Sequence, residues 1–109
     1  MTTRQKLPHR RAGVRVTLRD SGQKVYLCTG EYEDGRLGEI FLDTSKEGSF
    51  SRDALHAFAM AVSLGLQHGI PLAAFIHTYR NHKMEPDFIR QIFSTLAEIY
   101  PSQAQEAQP

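Results

Sequence analysis

The chain has 109 residues, 40% hydrophobic and 23% charged, with a net charge of +1, which suits one domain around one modest core. No apolar run approaches the roughly 20 residues that cross a bilayer, and the basic N-terminus has no apolar stretch behind it to make a signal peptide. Cys28 is the only cysteine, which excludes an internal disulfide framework and a cysteine zinc site, so the expectation is a cytoplasmic protein with no metal, no cofactor and no membrane contact.

Residues 1–12 read as a basic arm, interrupted by Pro8. Arg4, Lys6, Arg10 and Arg11, continued by Arg15 and Arg19, all precede the first acid, Asp20. "GVRVTLRD" then alternates, with Val14, Val16 and Leu18 pointing one way and Arg15, Thr17 and Arg19 the other, as in a half-buried strand. "DSGQ" is turn chemistry. "KVYLCTGEY" is a second strand, with Val25, Leu27 and Thr29 on one face and Tyr26 and Cys28 on the other. Asp34-Gly35 predicts a tight primed hairpin turn, where glycine accepts positive φ. "LGEIFLD" is a third strand, setting Ile40 and Leu42 against Glu39, Phe41 and Asp43. The three make an antiparallel meander with two open edges, and "TSKEGS" leaves it as a loop.

A long helix is predicted from Ser51 as N-cap, with Asp53 in the first turn. Leu55, Phe58, Ala59, Val62 and Leu66 recur at helical spacing, and Ala54, Ala61 and Gly65 form a small-residue stripe on a neighbouring face. Gly69 stops this helix, and Pro71 starts a short one that ends near Tyr79. "RNHK" links onward. Pro86 and Asp87 open a last helix carrying Phe88, Ile89, Ile92, Phe93, Leu96, Ile99 and Tyr100, which Pro101 closes. Residues 101–109 lack core residues and are expected to be disordered. The fold class is α+β: a three-stranded antiparallel meander followed by about three helices on one face, with residues 13–100 as the single domain. Val14, Val16, Leu18, Ile40 and Leu42 are expected on the covered face, and Tyr26, Cys28 and Phe41 on the other.

Several groups are candidates for chemistry. The segment from Gly30 to Asp43 holds the acids Glu31, Glu33, Asp34, Glu39 and Asp43. Hard cations need several oxygens converging at about 2.0–2.6 Å, and this spacing matches no calcium loop. The favoured reading is acids solvating a hairpin tip, paired with Arg36. Gly30, Gly35 and Gly38 run into a strand among acids, which argues against a phosphate cradle; Gly38 marks a bulge or a close backbone approach. His56, His68, His77 and His82 lie in the helical half, where His77 and His82 are a poor metal pair and His68 suits a helix C-terminus. Cys28 has no base partner for nucleophilic catalysis. Arg10, Arg11, Arg15, Arg19 and Arg36 are candidate contacts to a partner or to phosphate, although the arm has no interleaved aromatics to stack bases and a solvated tail is an equal reading of it. Tyr26, Phe41, Ala54, Ala61 and Gly65 are candidate interface residues, which favours a homo-oligomer or docking onto another protein.

The runs "KLPHRRAGVRVTL", "KVYLCTGEYEDGRLGEIFLD", "KEGSF", "FAMAVSLGLQHGIPLAAFI" and "KMEP" occur in one order, from about Lys6 to Pro86. Together they closely resemble the C-terminal portion of class II, adenosylcobalamin-dependent ribonucleotide reductases, the segment known as the TSCPD domain. The reductase's catalytic barrel, radical cysteine, redox cysteine pair and cobalamin site have no counterpart in these residues, nor does the pentapeptide that names the domain. The resemblance therefore implies a free-standing accessory domain that is no enzyme on its own. Its expected role is a non-catalytic binding or assembly module in deoxynucleotide metabolism, with a reductase subunit, its own copy or a nucleotide as partner. The alternative is a small nucleic-acid-binding protein that uses the basic arm, binding weakly.

Overall fold

The computed structural model describes residues 3–20, 22–45, 50–80 and 88–105. Three strands, β1 (Arg15–Asp20), β2 (Gln23–Glu31) and β3 (Leu37–Thr44), form one antiparallel sheet in sequence order. Among the described residues four helices follow: α1 (Phe50–Gln67), α2 (Leu72–Tyr79), α3 (Phe88–Ile99) and α4 (Pro101–Ala104). The α+β class is as the alternation and the helical spacing require, with one short helix more than expected.

Register follows the hydrophobic alternation. Val16 pairs with Leu27, Leu27 with Leu42, and Leu18 with Val25, so one face presents a continuous apolar floor. Leu27 and Val25 are buried there beside Ile40 and Leu42, under Ile92, Leu96 and Phe93 of α3 and Ala59, Val62 and Leu66 of α1. Val14 keeps the phase of Val16 and Leu18 but is 38% exposed instead of covered. It precedes β1, at the outer corner of the sheet. Phe93 ties the helices together: its ring stacks on Tyr79 at 5.4 Å and on Phe75 at 6.1 Å, and Phe58 meets it edge-on. At the other end Tyr100 is buried; its hydroxyl lies 2.8 Å from the Thr29 hydroxyl and donates to Glu31 Oε2 at 2.7 Å.

Several expectations need correction. α1 begins at Phe50, so Ser51 lies inside the first turn instead of capping it. The sheet does not have two open edges, because α1 lies along β3. Ser63 Oγ accepts from Ile40 N–H at 2.9 Å and donates to Ile40 C=O at 3.1 Å, and Gln67 Nε2 donates to Gly38 C=O at 3.0 Å. Disorder does not begin at Pro101: proline occupies the first turn of α4, where a missing N–H costs nothing, and Gln103 accepts from Leu37 N–H at 2.8 Å. The Asp34-Gly35 turn is longer than a two-residue primed turn. Tyr32 N–H donates to Arg36 C=O and Gly35 N–H to Tyr32 C=O, so the loop holds residues 33–35 with glycine in the left-handed position.

Gly69 ends α1 as expected. It sits at φ +95°, with Gly69 N–H donating to Leu66 C=O and Ile70 N–H to Gly65 C=O, the pattern of a Schellman cap. The start of the arm, Ser21 in the first turn, the exit loop from residue 46, the link through His82 to Pro86-Asp87, and the last four residues lie outside the described residues. No helix among the described residues is long and apolar enough to cross a membrane.

Gly35 has φ +89° and nothing within 4 Å of an added Cβ, so a substitution there tests the backbone alone. Gly35→Val should cost about 1–2 kcal/mol, and Gly35→Asn distinctly less, because asparagine tolerates that region. Equal melting temperatures for the two variants would contradict the left-handed position.

Candidate functional site

The uncovered face of the sheet is organised in rows by the register. Arg15, Cys28 and Phe41 form one row; Thr17, Tyr26 and Asp43 form the next. Because α1 sits beside β3 and not over this face, its own outer side forms a wall. Met60, Leu64 and His56 on the helix and Phe41, Tyr26 and Cys28 on the sheet enclose a groove of about 980 Å³. Phe41 is 52% exposed, Met60 72% and Leu64 46%. Arg15 lies over the Tyr26 ring, 5.3 Å from its centroid. Asp43 marks the groove's far end, where it accepts from Arg52 Nε at 2.9 Å and stands 3.4 Å from His56 Nε2. The Thr44 backbone N–H, then Arg52, hold the Asp43 carboxyl below its ordinary range.

The basic arm crosses the hairpin end of the sheet from α1 to β1. Arg4 donates to Gln67 Oε1 at 2.6 Å and Gln5 N–H to Gln67 C=O at 2.8 Å. Tyr32 donates to Gln5 C=O at 2.5 Å, and Glu31 N–H donates to Ala12 C=O at 2.9 Å. Two glycines make the crossing possible. A Cβ on Gly38 would stand 2.7 Å from Tyr32 and 2.9 Å from Leu7, and one on Gly30 would strike the Glu39 carboxylate at 2.1 Å. Glu39 therefore lies flat across Gly30, 8% exposed, and is paired with Arg11.

The acids do not all solvate the hairpin tip. Glu31 turns to Tyr100 and Glu39 to Arg11, because the fold supplies each with a partner. Asp34 behaves as expected: the Arg36 backbone N–H and guanidinium lower its pKa, and Arg36 also covers the Tyr32 ring at 4.9 Å. Arg10 and Arg19 are exposed. The small-residue stripe divides. Ala54 and Ala61 are exposed. Gly65 is not an interface residue on an open surface, because a Cβ there would stand 2.9 Å from Phe75 and 3.4 Å from Ile70; its smallness lets α2 approach.

Sequence reasoning missed Met60, Leu64 and His56. They recur at four-residue intervals and so form a further stripe on α1, beyond the core stripe and the small-residue stripe that the sequence reading weighed. Among the described residues no group of histidine, cysteine and acidic side chains could hold a metal ion. The arrangement offers apolar area, two aromatic rings and flanking charges, which suit recognition.

The family model described as "TSCPD domain" matches residues 2–100. A vitamin B12-dependent ribonucleotide reductase of Bradyrhizobium diazoefficiens is 50% identical over 86 residues, 79% of this chain and 7% of that protein. One from Agrobacterium fabrum is 49% identical over 83 residues, 76% of this chain and 6% of the relative. One from Streptantibioticus cattleyicolor is 39% identical over 83 residues, 76% of this chain and 14% of its own length. The chain thus spans a small part of the curated relatives it matches. No solved structure matches it.

Two variants test the internal contacts. Arg11→Ala strands the buried Glu39 and should cost about 1–3 kcal/mol, less in a Glu39→Gln background; an equal cost in both backgrounds would show that the pair contributes nothing. Burial pushes the Tyr100 phenol up to about 12, from an ordinary 10.0. The fold holds the neutral form, so this contribution is whole below the ordinary value and drains as pH rises toward the shifted one. Tyr100→Phe should lose about 1 kcal/mol at neutral pH and show a shallower alkaline decline in urea unfolding. Parallel declines would contradict the buried phenol.

Proposed function

The chain belongs to the TSCPD domain family, and from that we propose that it is a non-catalytic binding or assembly module of ribonucleotide reduction and deoxynucleotide metabolism. The observation that carries the reading is the open sheet face, where Phe41, Met60 and Leu64 stand exposed around one groove. Contiguous exposed apolar area of this kind marks interaction surfaces. A reductase subunit or a second copy of the chain is the partner the surface suits. A nucleotide bound between Arg15 and the aromatic pair Tyr26 and Phe41 is the small-ligand form of the same reading. The role places the protein in the cytoplasm, in the service of DNA synthesis.

Catalysis by this segment alone has no support. Ribonucleotide reduction oxidises a dithiol, and this chain has one cysteine. Nucleic-acid binding through the arm has less behind it than assembly, because Arg4, Arg11 and Arg36 already have partners within the chain. What remains would bind weakly, without sequence preference and with strong salt sensitivity.

Sedimentation of the chain at tens of micromolar, on the order of 10⁻⁵ M, alone and mixed with a vitamin B12-dependent reductase, tests the proposal. A faster-sedimenting species should form in at least one sample. Phe41→Glu should abolish it by placing a charge in a desolvated contact, with the helical circular dichroism unchanged. Wild-type monomer in both samples would overturn assembly. Deoxynucleotide formation by the chain with adenosylcobalamin and a dithiol would overturn the non-catalytic assignment.

A further inference from the structure

The two edges of the sheet are treated differently. Ser63 and Gln67 cover β3 by bonding the outward groups of Ile40 and the Gly38 C=O. On the other side, Thr29 N–H donates to Val14 C=O at 2.9 Å, Val14 N–H to Thr29 Oγ1 at 2.8 Å, and Glu31 N–H to Ala12 C=O at 2.9 Å. These bonds set the phase of β1. Val14, Val16 and Leu18 turn their backbone groups toward β2, so Arg15, Thr17 and Arg19 turn theirs outward. Among the described residues nothing bonds to that outward row.

The side chains beside the row sort by face. Arg15 and Arg19 stand on the open face, with Lys24 opposite Arg19. Among the described residues no carboxylate pairs with any of these three cations. On the covered side, Val14 is exposed and Val16 only half-buried, so apolar surface continues to the edge. A second copy does not suit this edge. Antiparallel pairing about Thr17 would set Arg15 of one copy against Arg19 of the other on the same face, and like charges directly opposite are destabilising.

We propose that the β1 edge takes an extended acidic segment of another protein as a fourth strand. Its backbone bonds the outward groups of Arg15, Thr17 and Arg19. Its acidic side chains meet the two arginines and Lys24, while the alternate apolar ones cover Val14 and Val16. The edge shares Arg15 with the Phe41 groove, but Thr17 and Arg19 lie outside the groove's lining, so its occupancy goes beyond the assembly reading and is tested separately at Thr17.

The probe is a labelled peptide alternating Glu and Val, compared by fluorescence anisotropy with one alternating Lys and Val, on the full chain. The Glu peptide should bind at least about tenfold more tightly at low salt, a difference worth about 1.4 kcal/mol. Arg15→Glu with Arg19→Glu should reverse the preference. Thr17→Pro removes an outward N–H and leaves the β1–β2 bonds in place, as proline is tolerated on an edge; it should weaken binding about tenfold at unchanged charge. No binding of the Glu peptide to the wild type overturns the proposal. So does full binding by a folded Thr17→Pro variant, which would show plain charge attraction without strand addition. If Thr17→Pro does not fold, the charge reversal decides, and an unchanged preference overturns it. Wild-type self-association that Thr17→Pro abolishes would put a second copy on the edge and also overturn it.

Discussion

Ser63 holds Ile40 by both of its outward backbone groups, and four residues later Gln67 donates to the Gly38 C=O. These contacts commit α1 to the side of the sheet. A three-stranded sheet otherwise has two unsatisfied edges, each a template for unwanted pairing. The first consequence is a β3 edge covered at Gly38 and Ile40. The second is that α1 cannot lie over the open face, so Phe41 and Tyr26 remain uncovered and the outer stripe of the helix becomes the wall of a groove. The third is that, among the described residues, the outward groups of β1 are left without a partner and open to another strand. Two polar side chains on an otherwise apolar face of α1, Ser63 and Gln67, thus help to fix which surfaces of the domain remain exposed.

A second constraint lies at the hairpin end. Gly30 and Gly38 lack side chains where the arm and the Glu39 carboxylate pass over the strands, and either position would clash with any Cβ. The arm can then reach from α1 to β1 while Arg4, Gln5 and Arg11 find partners. Cationic residues that resemble a nucleic-acid contact in the sequence serve here in part to fasten the chain to itself. Glu39 costs desolvation where it lies, and Arg11 offsets that cost. The same end of the sheet receives Tyr100 from α3, which bonds Thr29 and Glu31, so strands, arm and last long helix close on a few polar groups.

Alternation in "GVRVTLRD" and "LGEIFLD" was enough to sort Leu18, Ile40 and Leu42 from Phe41, because one face is apolar throughout and register cannot slip without exposing it. Helical spacing likewise found Phe58, Val62 and Phe93. Gly69 and Pro71 were readable because their conformational demands are local. What escaped the sequence was non-local. Nothing near Ser63 announces that its hydroxyl meets a strand more than twenty positions earlier in the chain, and nothing in "GEYEDG" separates Glu31, which finds Tyr100, from Glu33, which stays in solvent. The groove was half legible. Its strand side follows from alternation, whereas Met60 and Leu64 lie on α1 outside both the core stripe and the small-residue stripe that helical spacing picked out.

The relation to vitamin B12-dependent ribonucleotide reductases rests on a segment that is a small part of those proteins, and it directs attention to docking more than to chemistry. The open face beside α1 is the surface that such a role would use. Hydrogen–deuterium exchange of the chain, free and mixed with a reductase of that class, tests this most directly. The account predicts slowed exchange in β3 around Phe41 and in α1 from His56 to Gln67, with α2 and α3 unchanged. Protection confined to α2 and α3, or none anywhere, would contradict it.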